Sequence, residues 1–85
     1  MIITNEAKEA LEEILKEYGK AGIRFSAADD TPVALSLDAP EATDRVEIIN
    51  GIQVAMDEQA LALLEQVTLD VEETEEGLQL VLVGL

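Results

Sequence analysis

Three patterns in the sequence predict an α+β fold, rich in strand and carrying two helices. Asn50-Gly51 separates two runs with high strand propensity, Arg45-Val46-Glu47-Ile48-Ile49 and Ile52-Gln53-Val54-Ala55-Met56. An Asn-Gly pair in that setting is the strongest short-range signal for a β-hairpin. Between Asn5 and Tyr18 the apolar residues recur at helical spacing. Elsewhere, as in Ile23 to Ala27, Val33 to Leu37 and Leu78 to Val83, the chain alternates or stays apolar in short runs, as strands do.

The hairpin admits two registers. A two-residue turn pairs Ile49 with Ile52 and Ile48 with Gln53, and puts Glu47 on the face of Ile49, Ile52, Val54 and Met56. A three-residue loop, Ile49-Asn50-Gly51, pairs Ile48 with Ile52 and Val46 with Val54. One face then carries Val46, Ile48, Ile52, Val54 and Met56, and the other Arg45, Glu47, Gln53 and Ala55. Because a one-residue slip turns every side chain over, the segregated register of the three-residue loop is the expected one, with Gly51 at positive φ.

In chain order, Ile2-Ile3-Thr4 is a short strand. The helix over Asn5 to Tyr18 turns Ala7, Ala10, Leu11, Ile14, Leu15 and Tyr18 to one side, is capped by Thr4 or Asn5, and ends at Gly19. In the next strand Ile23 and Phe25 point inward and Arg24 and Ser26 outward. Ala28-Asp29-Asp30-Thr31-Pro32 turns the chain into a strand with Val33, Leu35 and Leu37 on one face. Asp38 to Asp44 is a loop. After the hairpin, Asp57 caps a helix of about two turns whose buried side is Ala60, Leu61 and Leu64. Val67, Leu69 and Val71 make a strand, Glu72 to Gly77 an acidic turn, and Leu78 to Val83 a last strand. That strand carries Leu78, Leu80 and Leu82 on one face and Val81 and Val83 on the other, a pattern that asks for cover on both sides.

The length, 85 residues, suits one domain spanning 1–85 with a thin core. Nineteen acidic residues against five basic ones give a net charge of −14, spread along a chain that is 48% apolar. Such a charge disfavours nucleic acid and anionic membranes as partners and keeps a small apolar domain in solution. No apolar run approaches the roughly 20 residues of a membrane helix, and Met1-Ile2-Ile3 leads straight into a polar helix, so a cytoplasmic protein is expected.

The sequence has no histidine and no cysteine. Ser–His and Cys–His pairs and soft metal ligands are therefore excluded, and no spacing selects two carboxylates as an acid–base pair. The glycines form neither a dinucleotide nor a phosphate-binding pattern. An enzyme is not expected, and no catalytic, cofactor-binding or metal-ligating residue is assigned. Asp29-Asp30 could help hold a hard divalent cation, but a turn whose Asp residues bond their own backbone is the preferred reading of the pair. Glu72, Glu73, Glu75 and Glu76 read as a solvated hairpin tip.

The order of elements resembles a known family. Ile2-Ile3-Thr4 opens a capped helix. Gly22-Ile23-Arg24-Phe25 and Val33-Ala34-Leu35-Ser36-Leu37-Asp38-Ala39-Pro40 follow. Glu47-Ile48-Ile49-Asn50-Gly51-Ile52-Gln53-Val54 then leads into Met56-Asp57, a leucine-rich helix and Leu69-Asp70-Val71. This resembles the HesB-like family, the A-type carriers of iron–sulfur cluster assembly, over nearly the whole chain. The resemblance implies two helices on a distorted β-sandwich, assembly into dimers or tetramers, and iron or cluster binding through one cysteine after the second strand and a C-x-C near the C-terminus. The loop Ala27 to Pro32 has no cysteine, and the sequence given stops at Gly84-Leu85, so the resemblance carries over a fold without its ligands and no cofactor is expected.

Two functions follow. One is a non-catalytic interaction or regulatory module that has lost its metal ligands. The other is an iron or cluster carrier using carboxylates, or ligands lent by a protein partner. A homodimer burying Val81 and Val83 is expected, unless the second helix or the N-terminal strand covers them.

Overall fold

The computed structural model describes residues 1–27, 30 and 33–85. Strand β1 (Ile2–Ile3) leads into helix α1 (Asn5–Tyr18), then β2 (Gly22–Ser26), β3 (Ala34–Ser36), β4 (Arg45–Ile49), β5 (Ile52–Met56), α2 (Glu58–Leu64), β6 (Thr68–Thr74) and β7 (Gly77–Val83). Two sheets form, in the orders β1-β6-β7 and β3-β2-β5-β4. Both are mixed: β1 runs parallel to β6, and β2 parallel to β5, while the other pairs are antiparallel. Helix α1 packs on β6 and β5, and α2 on β2 and β5.

Helix α1 matches its sequence pattern. Thr4 takes the cap, its hydroxyl accepting the Ala7 N–H at 3.2 Å, and such a cap is worth about 1 kcal/mol. Gly19 closes the helix at φ 64. Ala7, Leu11 and Leu15 are buried, but Tyr18, in the last turn of the helix, is exposed. The core joins these residues to Ile23 and Phe25 of β2, Ile52, Val54 and Met56 of β5, Ala60 and Leu64 of α2, and Leu69 of β6.

At the centre of the four-stranded sheet the parallel partners are Gly22 with Gln53, Ile23 with Val54, Arg24 with Ala55 and Phe25 with Met56. A Cβ on Gly22 would stand 2.5 Å from the Gln53 carbonyl oxygen, so glycine is what permits the two strands to meet there. Asp57 extends the pairing, its N–H donating to the Phe25 carbonyl at 3.2 Å. Its carboxylate then starts α2 by accepting the Ala60 N–H at 2.7 Å.

The hairpin takes the register that segregation argued against. Ile49 pairs with Ile52, Ile48 with Gln53, Glu47 with Val54 and Val46 with Ala55. Asn50 at φ 49 and Gly51 at φ 80 form a two-residue turn with both residues left-handed, the turn whose twist matches that of the flanking strands. Strand β5 is central and buries Ile52, Val54 and Met56, but β4 is an edge, so the turn alone sets its phase. Val46 and Ile48 therefore face outward, exposed at 47% and 69%, while Glu47 takes the inner face. The Asn50 side chain locks the turn, its Nδ2 donating to the Ile3 carbonyl at 2.9 Å and to Asn5 Oδ1 at 3.1 Å.

The acidic segment is also tighter than expected. Glu72 to Thr74 belong to β6, and only Glu75 and Glu76 form the turn into β7. Leu80 and Leu82 pack against the core, while Leu78, near the hairpin tip, is 68% exposed. Val83 is 54% exposed. Val81 is half-buried, and Ile2 of β1 lies beside Val83 in the same cross-strand row, through Thr68.

Two glycine variants test this geometry. Gly51→Ala puts a Cβ into left-handed backbone with only the flexible end of Lys8 nearby, and should cost about 1 kcal/mol. Gly22→Ala forces backbone apart between two central strands and should lower the urea midpoint further than Gly51→Ala does. A Gly22→Ala midpoint equal to wild type would contradict the close approach.

Candidate functional site

The most tightly built polar cluster lies on the outer face of the four-stranded sheet. Arg24 points outward from β2, as its position in the alternation predicts, and its side chain is 13% exposed beside an Asp44 side chain that is 0% exposed. The Arg24 Nε donates to Asp44 Oδ2 at 2.6 Å, and a terminal nitrogen donates to Asp44 Oδ1 at 3.1 Å and to Glu41 Oε2 at 3.0 Å. Asp44 Oδ2 also accepts the Glu41 N–H at 2.9 Å, and the Asp44 N–H donates to the Glu41 carbonyl at 3.0 Å. The fork of the guanidinium thus pins the segment before β4 across the sheet.

The hydrogen bond from Arg24, reinforced by the Glu41 N–H, holds the Asp44 carboxyl below the ordinary carboxylate range, and the same bond raises the Arg24 guanidinium. The Ala60 and Ala27 N–H groups lower the Asp57 carboxyl likewise. The second of these is a bond from Ala27 to Asp57 Oδ2 at 2.8 Å, which ties the end of β2 to the start of α2. These groups are held charged and fully engaged, which suits them to positioning backbone rather than to moving protons.

Other polar side chains are committed in the same way. Thr4 donates its hydroxyl proton to Asp70 Oδ1 at 2.8 Å, and that oxygen also accepts the Val71 N–H. Among the described residues no buried side-chain polar atom lacks a partner, and no three acidic side chains converge to hold a metal ion. Asp30 is exposed, and Asp29 lies outside the described residues, as does the Asp29-Asp30 pair as a unit. Between α2 and the inner side of β4 runs an open groove with Met56, Leu61 and Leu64 at its base and Arg45 and Glu47 on its rim. The Arg24–Asp44 pair was not legible in the sequence: the two are separated by β3 and a loop, and nothing local couples them. The acid just before β4 was the only signal available.

No family model matches the sequence, and no curated protein matches it. Solved structures do. IscA, crystallised with a 2Fe-2S cluster, is 23% identical, with 95% of this chain matched to 81% of that one at a TM-score of 0.76. Escherichia coli SufA, a protein involved in the biosynthesis of iron–sulfur clusters, is 16% identical over 95% of this chain and 81% of its own, at a TM-score of 0.80. A protein from Aquifex aeolicus solved by NMR is 17% identical over 98% of this chain and 89% of its own, at a TM-score of 0.67. The fold is HesB-like. The resemblance drawn from element order is borne out in architecture: two helices and seven strands in mixed sheets.

The donor set does not fit an iron–sulfur cluster. Such clusters are held mainly by thiolates, with imidazole as the known substitute on some irons, and this sequence contains neither residue.

The Arg24–Asp44 pair predicts a pH dependence. Because the folded-state pKa of Asp44 is depressed, its contribution is complete above the ordinary carboxylate pKa of about 3.9 and is lost as pH falls through the lowered value. Asp44→Asn should lower the melting temperature at pH 7 and flatten the loss of stability below pH ~4. Glu41→Gln, at a 70% exposed side chain, should do neither to a comparable degree. Thermal melts from pH 2 to 7 on both variants measure this; equal acid limbs for Asp44→Asn and wild type would exclude the pair as its source.

Proposed function

We propose that this chain is a HesB-like module that holds no iron or cluster of its own and works as a small interaction or regulatory partner, assembled as a homo-oligomer. The observation that carries the reading is the fold of cluster-assembly proteins in a chain without a thiol or an imidazole. Among the described residues the buried polar groups serve caps, turns and the loop clamp, which supports a structural use of them. The exposed apolar side chains, Ile48, Val83 and Ile2 among them, supply surface for protein contacts. The charge of −14 supports proteins over nucleic acid as partners.

Anaerobic incubation with ferrous iron and sulfide, followed by desalting, tests the reading. The expected result is a colourless protein with no retained iron. Visible cluster absorbance with stoichiometric iron would overturn it in favour of a carrier that uses carboxylates.

A further inference from the structure

The two sheets end on β1, β7, β3 and β4. Exposed strand edges invite pairing with other chains, and proteins blunt them by shortness or by charge. Strands β1 and β3 span two and three residues. Strand β4 carries Arg45 and Glu47. Strand β7 has neither protection. It runs for seven residues, and from Gly77 to Leu85 there is no charged residue and no proline, in a chain whose net charge is −14.

The direction of its free backbone groups follows from its neighbours. The Thr4 N–H donates to the Leu69 carbonyl at 3.0 Å, so the backbone of Leu69 faces β1 and not β7. Leu82 lies opposite Leu69, and its N–H and C=O therefore point to the open edge. By alternation those of Leu80 and Leu78 do too, whereas Gly77, Gln79, Val81 and Val83 face β6.

We propose that β7 pairs antiparallel with β7 of a second copy of this chain, about a two-fold axis at Leu80. Leu78 then lies opposite Leu82 of the partner subunit, Leu80 opposite Leu80 of the partner subunit, and Gln79 opposite Val81 of the partner subunit. The two three-stranded sheets become one, and the exposed Leu78 gains an apolar neighbour. This deepens the homo-oligomer in the proposed function and rests on it. The strand is self-complementary: apolar on both faces, it meets an equally apolar copy, whereas a basic peptide would set its cations against leucine and valine. The acids of β6, Asp70, Glu72 and Glu73, are held apart by the two neutral strands. At about 4.8 Å per strand the two β6 strands stand about 14 Å from each other, beyond the Debye length of about 8 Å at physiological salt. The ladder is only about 23 Å long, so the dimer should dissociate on dilution and strengthen with salt.

Residue-resolved amide exchange on the full chain, run with sedimentation at low and high protein concentration and up to ~0.5 M salt, tests the pairing. As dimer forms, the amides of Leu78, Leu80 and Leu82 should gain about tenfold or more in protection, while those of Gln79 and Val81, already bonded to β6, change less. Leu78→Pro removes an N–H used only across the edge. It should weaken association about tenfold with an unchanged melting temperature of the dilute monomer. A dimer in which those three amides stay unprotected overturns the edge pairing and leaves the homo-oligomer standing. A monomer under every condition overturns both, without bearing on whether the chain holds iron.

Discussion

The parallel contact between β2 and β5 is the constraint on which the rest of the molecule depends. It joins residues about thirty positions apart in sequence, and at Gly22 it brings the backbones so close that any Cβ would strike the Gln53 carbonyl. Strand β3 is hung on one side of this pair and β4 on the other. Helix α2 starts where the pair ends, and Asp57 secures both strands there, through the Phe25 carbonyl, the Ala27 N–H and the first turn of the helix. The inward residues Ile23, Phe25, Val54 and Met56 then fill the core from its middle.

The second sheet is fastened to the first around the start of α1. Thr4 caps the helix, bonds Asp70 of β6 through its hydroxyl, and extends the pairing of β1 with β6 through its N–H. Asn50 reaches from the hairpin turn to Ile3 and Asn5. The turn that sets the phase of β4 is thus also a rivet between sheets, and a register with Asn50 displaced would forfeit these bonds. A polar network of this kind is strong because it is complete: every buried member has a partner.

The chemistry follows from these commitments. Arg24, one of five basic residues in the chain, is occupied by Asp44 and Glu41, and the depressed carboxyls of Asp44 and Asp57 bond backbone or guanidinium. Among the described residues the perturbed groups thus hold the chain in place, within a fold shared with IscA and SufA. The uncharged β7 stands out against the net charge of −14 as the one long edge strand among the described residues without a charged residue.

Local information was enough to place helix α1 with its cap, strand β2 with its inward Phe25, the Asp57 cap of α2 and the two faces of β7, because side-chain periodicity and capping act within a few residues. The overall architecture was legible from the order of those elements. Three features were decided only in three dimensions. The phase of β4 came from the dihedral angles of Asn50 and Gly51 and from the bonds of Asn50 to distant backbone, which outweighed the segregation of Val46 and Ile48 on an edge strand. The length of β6 came from its pairing with β7, which drew Glu72 to Thr74 out of the turn. The union of Arg24 with Asp44 needed the loop to fold back across the sheet, and a contact between residues so far apart in the chain leaves no periodic trace in it.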